Sequence, residues 1–414
     1  MISWILIFSL LFIVPSITDT YQLKADTCPL GLTVSENGEL LKDCKPYRAV
    51  GVNYFDVFYR VLKDPTDKSY VQGFEKLSKN GIPFVRMMAC GFWPNDWEIY
   101  LKDKERYFTL LDDVVKTAEK YNVGIIMTLF WNVSTIPDLV GEPVSAWGDP
   151  ESKTISFMKN YTREVVSRYK DSPAIWGWEF GNEYNLIADL PKGYLPKVAP
   201  QYGTPKQRTE RDRLTYRDIL TAFIQFADTV REIDKHRIIS TGNSIPRPSA
   251  YHLAFYGKWQ KDSLIQFLYM LNLQNPKDFA AISVHIYPPT LNDRYFMDVI
   301  IKSFEDLIRP MVEFTKRENR ILFIGEFGVC KHHANSKEEE RIKYEELIKA
   351  IEKLEVPLSA LWVYDRKKPD DPCNVSFENE RSYQLWYIID LNRKLNENIT
   401  FAPQITPELK IQGF

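Results

Sequence analysis

Two glutamates in this chain stand where a carboxyl group can do chemistry. Glu183 closes the run Ile175-Trp176-Gly177-Trp178-Glu179-Phe180-Gly181-Asn182-Glu183, an apolar, aromatic stretch that reads as a buried strand. Glu326 closes a second such run, Ile321-Leu322-Phe323-Ile324-Gly325-Glu326. Cleaving a glycosidic bond with retention needs a carboxylic acid beside the leaving oxygen and a carboxylate below the anomeric carbon, about 5–5.5 Å apart. A closed barrel gathers the carboxyl ends of its strands on one face, so two strand-end glutamates can meet that geometry. Asn182 adds an amide able to bond the sugar hydroxyl next to the reacting carbon. Glu179 lies inside its strand and reads instead as the buried partner of a barrel arginine.

Positioning such a pair requires a repeated strand-and-helix frame, and the sequence has one. Strands are predicted at 48–54, 84–88, 123–129, 175–180, 238–241, 279–286, 322–326 and 358–364, several of them apolar on both faces as helix-wrapped strands are. Helical periodicity falls between them, at 71–80, around 107–115, and at 152–169, 211–234, 262–273, 297–318, 337–353 and 382–395. Eight alternations predict an α/β fold, a (β/α)8 TIM barrel with a short N-terminal β-hairpin. A doubly wound open sheet is the other arrangement of such units, but no Gly-x-Gly-x-x-Gly turn follows the first strand. The segments 186–202 and 243–259, after the fourth and fifth strands, are long for connections and either wall a cleft or are neutral insertions. Tyr54, Trp93, Trp131 and Trp147 are expected on active-face loops, where flat rings stack on sugars.

Composition narrows the function class. In 414 residues, 44% hydrophobic and 14% aromatic content can bury a substantial core, and a net charge of −2 gives no pull toward nucleic acid or anionic membrane. Residues 1–20 read as a signal peptide without the usual leading Lys or Arg, an uncleaved anchor being the alternative, and 21–414 as one catalytic domain. The mature protein is thus expected to be secreted or periplasmic, monomeric and off the membrane. Of five cysteines, Cys28 with Cys44 and Cys330 with Cys373 are plausible pairs that sequence does not settle, leaving Cys90 over. Sequons stand at Asn132, Asn160, Asn374 and Asn398. His332-His333 lacks a His-Glu-x-x-His setting, no P-loop or Gly-x-Ser-x-Gly elbow occurs, and no metal or cofactor is expected.

With Asn182-Glu183 and Ile324-Gly325-Glu326-Phe327-Gly328 together, the chain resembles the retaining barrel glycosidases, glycoside hydrolase family 5 in particular, from Gly51-Val52-Asn53-Tyr54 to the last helix. The resemblance implies Glu183 as acid/base and Glu326 as nucleophile. It places Arg86 near the nucleophile, and it matches His285 and Tyr287 to a His-x-Tyr at the end of the sixth strand and Trp362 to the tryptophan floor of the eighth. The third strand offers Phe130-Trp131-Asn132 where the commonest pattern has a histidine, which resembles mannanase-like branches. The implied activity is a two-glutamate β-glycosidase on a carbohydrate substrate, endo-β-1,4-mannanase-like. A cellulase, β-glucanase or exo-β-glycosidase of the same family stays open, as does a non-catalytic carbohydrate-binding barrel.

Overall fold

Short strands with inward and outward faces both apolar must be enclosed, and here they close on themselves. The computed structural model describes residues 28–192, 194–288, 295–368 and 370–395; the expected signal peptide and Asn398 lie outside them. Three short strands come first, β1 (Leu32–Val34), β2 (Leu40–Lys42) and β3 (Lys45–Pro46), an antiparallel sheet one strand larger than the expected hairpin. The barrel follows: β4 (Ala49–Asn53), β5 (Phe84–Met88), β6 (Gly124–Phe130), β7 (Ile175–Gly181), β8 (Ile238–Ser240), β9 (Ala281–Ile286), β10 (Ile321–Phe327) and β11 (Leu358–Leu361). All neighbours pair in parallel and β11 pairs back onto β4, closing the ring. This is the eight-stranded (β/α)8 barrel that the alternation predicts.

Two apolar layers hold it. Inside the barrel, Phe84, Ile126, Trp176, Ile238, Phe323 and Leu358 form a cluster, and Leu32 and Leu40 of the small sheet cover its N-terminal end. Outside, the alternate residues, among them Val85, Met87, Trp178, Phe180 and Phe327, pack on the surrounding helices. A Cβ on Gly124 would collide with the Trp176 indole, so that close approach requires glycine.

Bulges decide where the inward side chains point. The register between β6 and β7 shifts between Ile125–Ile175 and Ile126–Gly177, so Trp176 and Glu179 both face the barrel interior. On β10 the register against β9 shifts between Ile324 and Glu326. Phe323 therefore joins the interior cluster, and Glu326, three residues on, also turns inward to Arg86. A strict two-residue alternation would have sent Glu326 to the helix layer.

The connection 186–202 is fastened rather than free. Arg208, paired with both carboxyl oxygens of Asp138, donates to the carbonyls of Pro196 at 3.3 Å and Lys197 at 3.2 Å, Asp189 accepts from the amide of Tyr216, and Trp93 stacks on Tyr202 with centroids 5.5 Å apart. Disulfides join Cys28 to Cys44 and Cys330 to Cys373, the second tying the connection after β10 to the one after β11, and Cys90 is free and buried. Among the described residues no helix is long and apolar enough to cross a membrane.

Candidate active site

Glu183 sits just past β7 with a φ of 55°, a left-handed conformation that a non-glycine residue keeps only when its surroundings impose it. The imposition comes from the turn after β8. The amide of Glu183 donates to the carbonyl of Gly242 at 2.9 Å, and Gly242 itself has a φ of 71° with its α-carbon against the carbonyl of Gly181. Asn185 then fixes that turn, receiving the amide of Ser244 at 3.1 Å and donating to its carbonyl at 2.8 Å.

Glu326 enters from β10 and is held from two sides. Arg86 Nη1 donates to its Oε1 at 2.9 Å and the Tyr287 hydroxyl to its Oε2 at 2.6 Å. Arg86 is fully buried; the same Nη1 also donates to Asn53 at 3.0 Å, Nε donates to Glu179 at 2.6 Å and Nη2 to Asn182 at 2.8 Å. Glu179, receiving Thr128 at 2.7 Å and Ser240 at 2.9 Å as well, is the arginine's buried partner. Arg86 takes the side-chain oxygen of Asn182, so the Asn182 NH2 group is the end left to donate outward.

His285 lies between the two glutamates. Its Nδ1 is 2.9 Å from Glu183 Oε1 and 3.6 Å from Glu326 Oε2, and one donor atom from each of the three residues lies within 4.8 Å of the others. Burial lowers the imidazole to about 4, so near neutrality it is uncharged and adds no second cation beside Arg86. Burial also pushes both carboxyls above the ordinary carboxylate range. The opposing hydrogen bonds from Arg86 and Tyr287 both fall on Glu326, which makes it the one to carry the pair's negative charge. For Glu183 the leading cause is burial. The two differ in access: the side chain of Glu183 is 32% exposed and that of Glu326 5%. One faces the opening and the other is enclosed, as a proton donor and an attacking group respectively require. The same donors could attract a cation, but Arg86 already supplies the positive charge there.

The aromatic expectations divide. Trp362 is half-buried above the site, its ring 4.9 Å from Phe55 and 6.1 Å from Trp131. Trp131 is only 5% exposed and its ring lies 4.6 Å from the Arg86 guanidinium, so it supports the cation and the Trp362 floor instead of offering a free face. Tyr54 is a correction. It follows the inward-facing Asn53, points outward by alternation, and is wholly buried with its hydroxyl on Asp365 at 2.9 Å. Trp147 is likewise buried, its indole N–H on the carbonyl of Val133 at 2.7 Å. Sequence reasoning missed Phe55, and it missed the bracing of Arg86 by Asn53, whose amide also donates to the carbonyl of Gly325 at 2.8 Å. The Cys330, His332 and His333 donors adjoin each other, but Cys330 is spent in its disulfide.

A closed (β/α)8 barrel with two carboxyls this close on its C-terminal face defines a barrel of the glycoside hydrolase type. The profile of the cellulase family, glycosyl hydrolase family 5, matches residues 45–367. The chain belongs to that family. It is 41% identical over 152 residues to a probable mannan endo-1,4-beta-mannosidase F of Aspergillus flavus, covering 30% of this chain and 32% of that one. It is 24% identical over 342 residues to mannan endo-1,4-beta-mannosidase 3 of Arabidopsis thaliana, covering 71% of each. The match to the Aspergillus protein thus spans about a third of that protein's length. In fold it is similar to an endo-1,4-beta-mannanase from Rhizomucor miehei, with a TM-score of 0.62 at 15% identity over 89% of this chain and 99% of that one.

Proposed function

We propose that this chain is an exported endo-β-1,4-mannanase that cleaves by double displacement, with Glu326 as nucleophile and Glu183 as acid/base. The observation that carries the mechanism is the pair's spacing, donor atoms within 4.8 Å, together with the unequal bonding of its members. That spacing falls with the roughly 5–5.5 Å of retaining enzymes and below the roughly 6.5–9.5 Å that leaves room for an attacking water in inverting ones. In the first step a Glu326 oxygen bonds to the anomeric carbon while the bond to the leaving oxygen breaks, and the Glu183 proton goes to that oxygen. In the second, Glu183 as carboxylate takes a proton from water, whose oxygen bonds to the anomeric carbon as the ester to Glu326 breaks. Asn182, its carbonyl held by Arg86, presents its NH2 to the sugar hydroxyl next to the reacting carbon, and Trp362 floors the ring.

Mannan as substrate rests on the names of the relatives and on the third-strand Trp131-Asn132 pattern. Export rests on the two disulfides, which suit an oxidising compartment, and on the apolar N-terminal sequence. The test is activity of the purified chain and of Glu326→Gln on β-mannan, glucomannan, β-glucan, xylan and aryl β-glycosides, with products sized. Internal cleavage of β-mannan by the parent chain, lost in the variant, is expected. Preference for β-glucan, or release of single sugars only, overturns the substrate or the endo mode. Turnover unchanged in the variant overturns the mechanism.

A further inference from the structure

The barrel order divides the cleft. Going from the strand of Glu183 to that of Glu326, β8 and β9 occupy one arc, and β11, β4, β5 and β6 the other. Trp362, Phe55 and Trp131, which form the sugar floor, all follow strands of the second arc. A leaving group that departs past Glu183 therefore lies over the first arc, whose walls are the long connections after β7 and β8.

Those two connections meet through a pair of exposed rings. Tyr194 is 58% and Trp259 55% exposed, with centroids 6.3 Å apart and planes at 65°, one from each connection. Trp259 is the most exposed tryptophan among the described residues, in a chain that buries most of its large aromatics. It is also tethered, through Arg247, to the backbone just past Glu183. Arg247 lies 5.9 Å from its ring and donates to the carbonyl of Leu186, three residues past Glu183. Two rings set at an angle make a corner with an apolar floor and an aromatic side, and with Arg247 over one face of Trp259 the exposure of both rings leaves the rest of the corner open to solvent.

We infer that Tyr194 and Trp259 form a binding corner for the sugar units on the leaving-group side of a β-glycan chain, and so for an incoming acceptor. This rests on the proposed two-glutamate reading and names the residues that hold the far part of its substrate. An acceptor sugar seated there can replace water in the second step. Its hydroxyl oxygen bonds to the anomeric carbon as the ester to Glu326 breaks, and Glu183 takes the hydroxyl proton. The products are a longer glycoside and the free Glu326 carboxylate.

The test compares the parent chain with Trp259→Ala and Trp259→Phe, using β-1,4-mannohexaose and an aryl β-mannobioside whose small leaving group stops short of the corner. Expected for Trp259→Ala is a roughly tenfold rise in KM for the hexasaccharide, little change for the aryl substrate, a fall in transfer products relative to hydrolysis, and recovery of most of the loss in Trp259→Phe. Hexasaccharide binding to Glu326→Gln, with and without Trp259→Ala, reads the same corner without turnover. Equal hexasaccharide KM and affinity in parent and Trp259→Ala, with the parent active, overturns the corner alone. An inactive parent that still binds hexasaccharide through Trp259 overturns the catalytic reading and keeps the corner. Absence of both overturns both.

Discussion

Arg86 is the residue on which the electrostatics of the site depend, and Arg86→Met removes its charge while keeping most of its length. In the parent chain its guanidinium bonds Glu179 at 2.6 Å and Glu326 at 2.9 Å in a fully buried setting. Without it both carboxylates stay inside the barrel with only hydroxyl partners, Thr128 and Ser240 on one and Tyr287 on the other. Breaking a buried pair by removing one member costs about 3–5 kcal/mol, a large share of the roughly 5–15 kcal/mol that holds a domain folded. A unit charge about 4 Å away at an effective dielectric of about 20 is worth about 4 kcal/mol, or roughly 3 pKa units. Glu326 then keeps its proton to a higher pH, and the acid limb of kcat/KM moves up by about 2–3 units. On the acid side of the parent's own limb the variant should lose activity by about 10²–10³-fold, the loss vanishing above the shifted limb, and Arg86→Lys, which can reach one carboxylate at a time, should fall between. Denaturant unfolding and pH–rate profiles on an aryl glycoside are the assays. An acid limb that stays put, with stability within about 1 kcal/mol of the parent, would refute the assignment of Arg86 as the group that keeps Glu326 charged.

Burial raises the Glu183 carboxyl, so the upper limb of kcat/KM should follow its ionisation and the activity of the parent should decline as pH rises through it. Glu183→Gln should abolish that limb on an aryl substrate with a good leaving group; a limb that persists in the variant belongs to another residue. Asp189 is raised by burial to about 6, so the folded chain holds a proton that the unfolded chain releases near 4, and stability falls as pH rises between those values. Asp189→Asn should therefore stabilise the protein at pH 7 by about 1–3 kcal/mol and flatten the slope from pH 4 to 6, measured by urea unfolding. Replacing Cys330 and Cys373 by serine opens a loop with a sequence separation of 43 and should cost about 2–4 kcal/mol. An unchanged unfolding midpoint would show that the connections after β10 and β11 hold together without the bridge.

The barrel and the two glutamates were legible because apolar runs bounded by turns mark buried strands whatever their surroundings. The strand Phe84–Met88 and the helices Lys337–Lys353 and Ser382–Leu395 fall where the pattern puts them. Helix starts were less legible where apolar residues run on ahead of the cap. The stretch expected from Met297 begins at Phe304, after Ser303 with Asp306 as a capping box, and that expected from Arg211 begins at Tyr216, after Thr215 with Asp218. Ser-x-x-Asp and Thr-x-x-Asp were the available signals. The last strand ends at Leu361, short of the expected Tyr364, and the Trp362–Val363 peptide that follows is cis.

Side-chain direction was the harder part. Tyr54 was expected to line the site because it ends a strand, yet it points outward, where a Cβ on Gly73 would strike its ring. Alternation from Asn53 would have shown this. The inward turn of Glu326 depends on a register shift against β9 that neither spacing nor composition of β10 encodes. Glu183's left-handed backbone depends in turn on Gly242, far downstream in the chain and visible only once β7 and β8 are paired.

The central claim is a covalent step at Glu326 followed by attack of water from the opposite face, where the leaving group departed, and the anomeric configuration of the first-formed product tests it most directly. Proton magnetic resonance during early hydrolysis of a β-1,4-manno-oligosaccharide should show the β-anomer of the new reducing end appearing before mutarotation supplies the α form. First appearance of the α-anomer would mean a single displacement by water, and would contradict nucleophilic attack by Glu326.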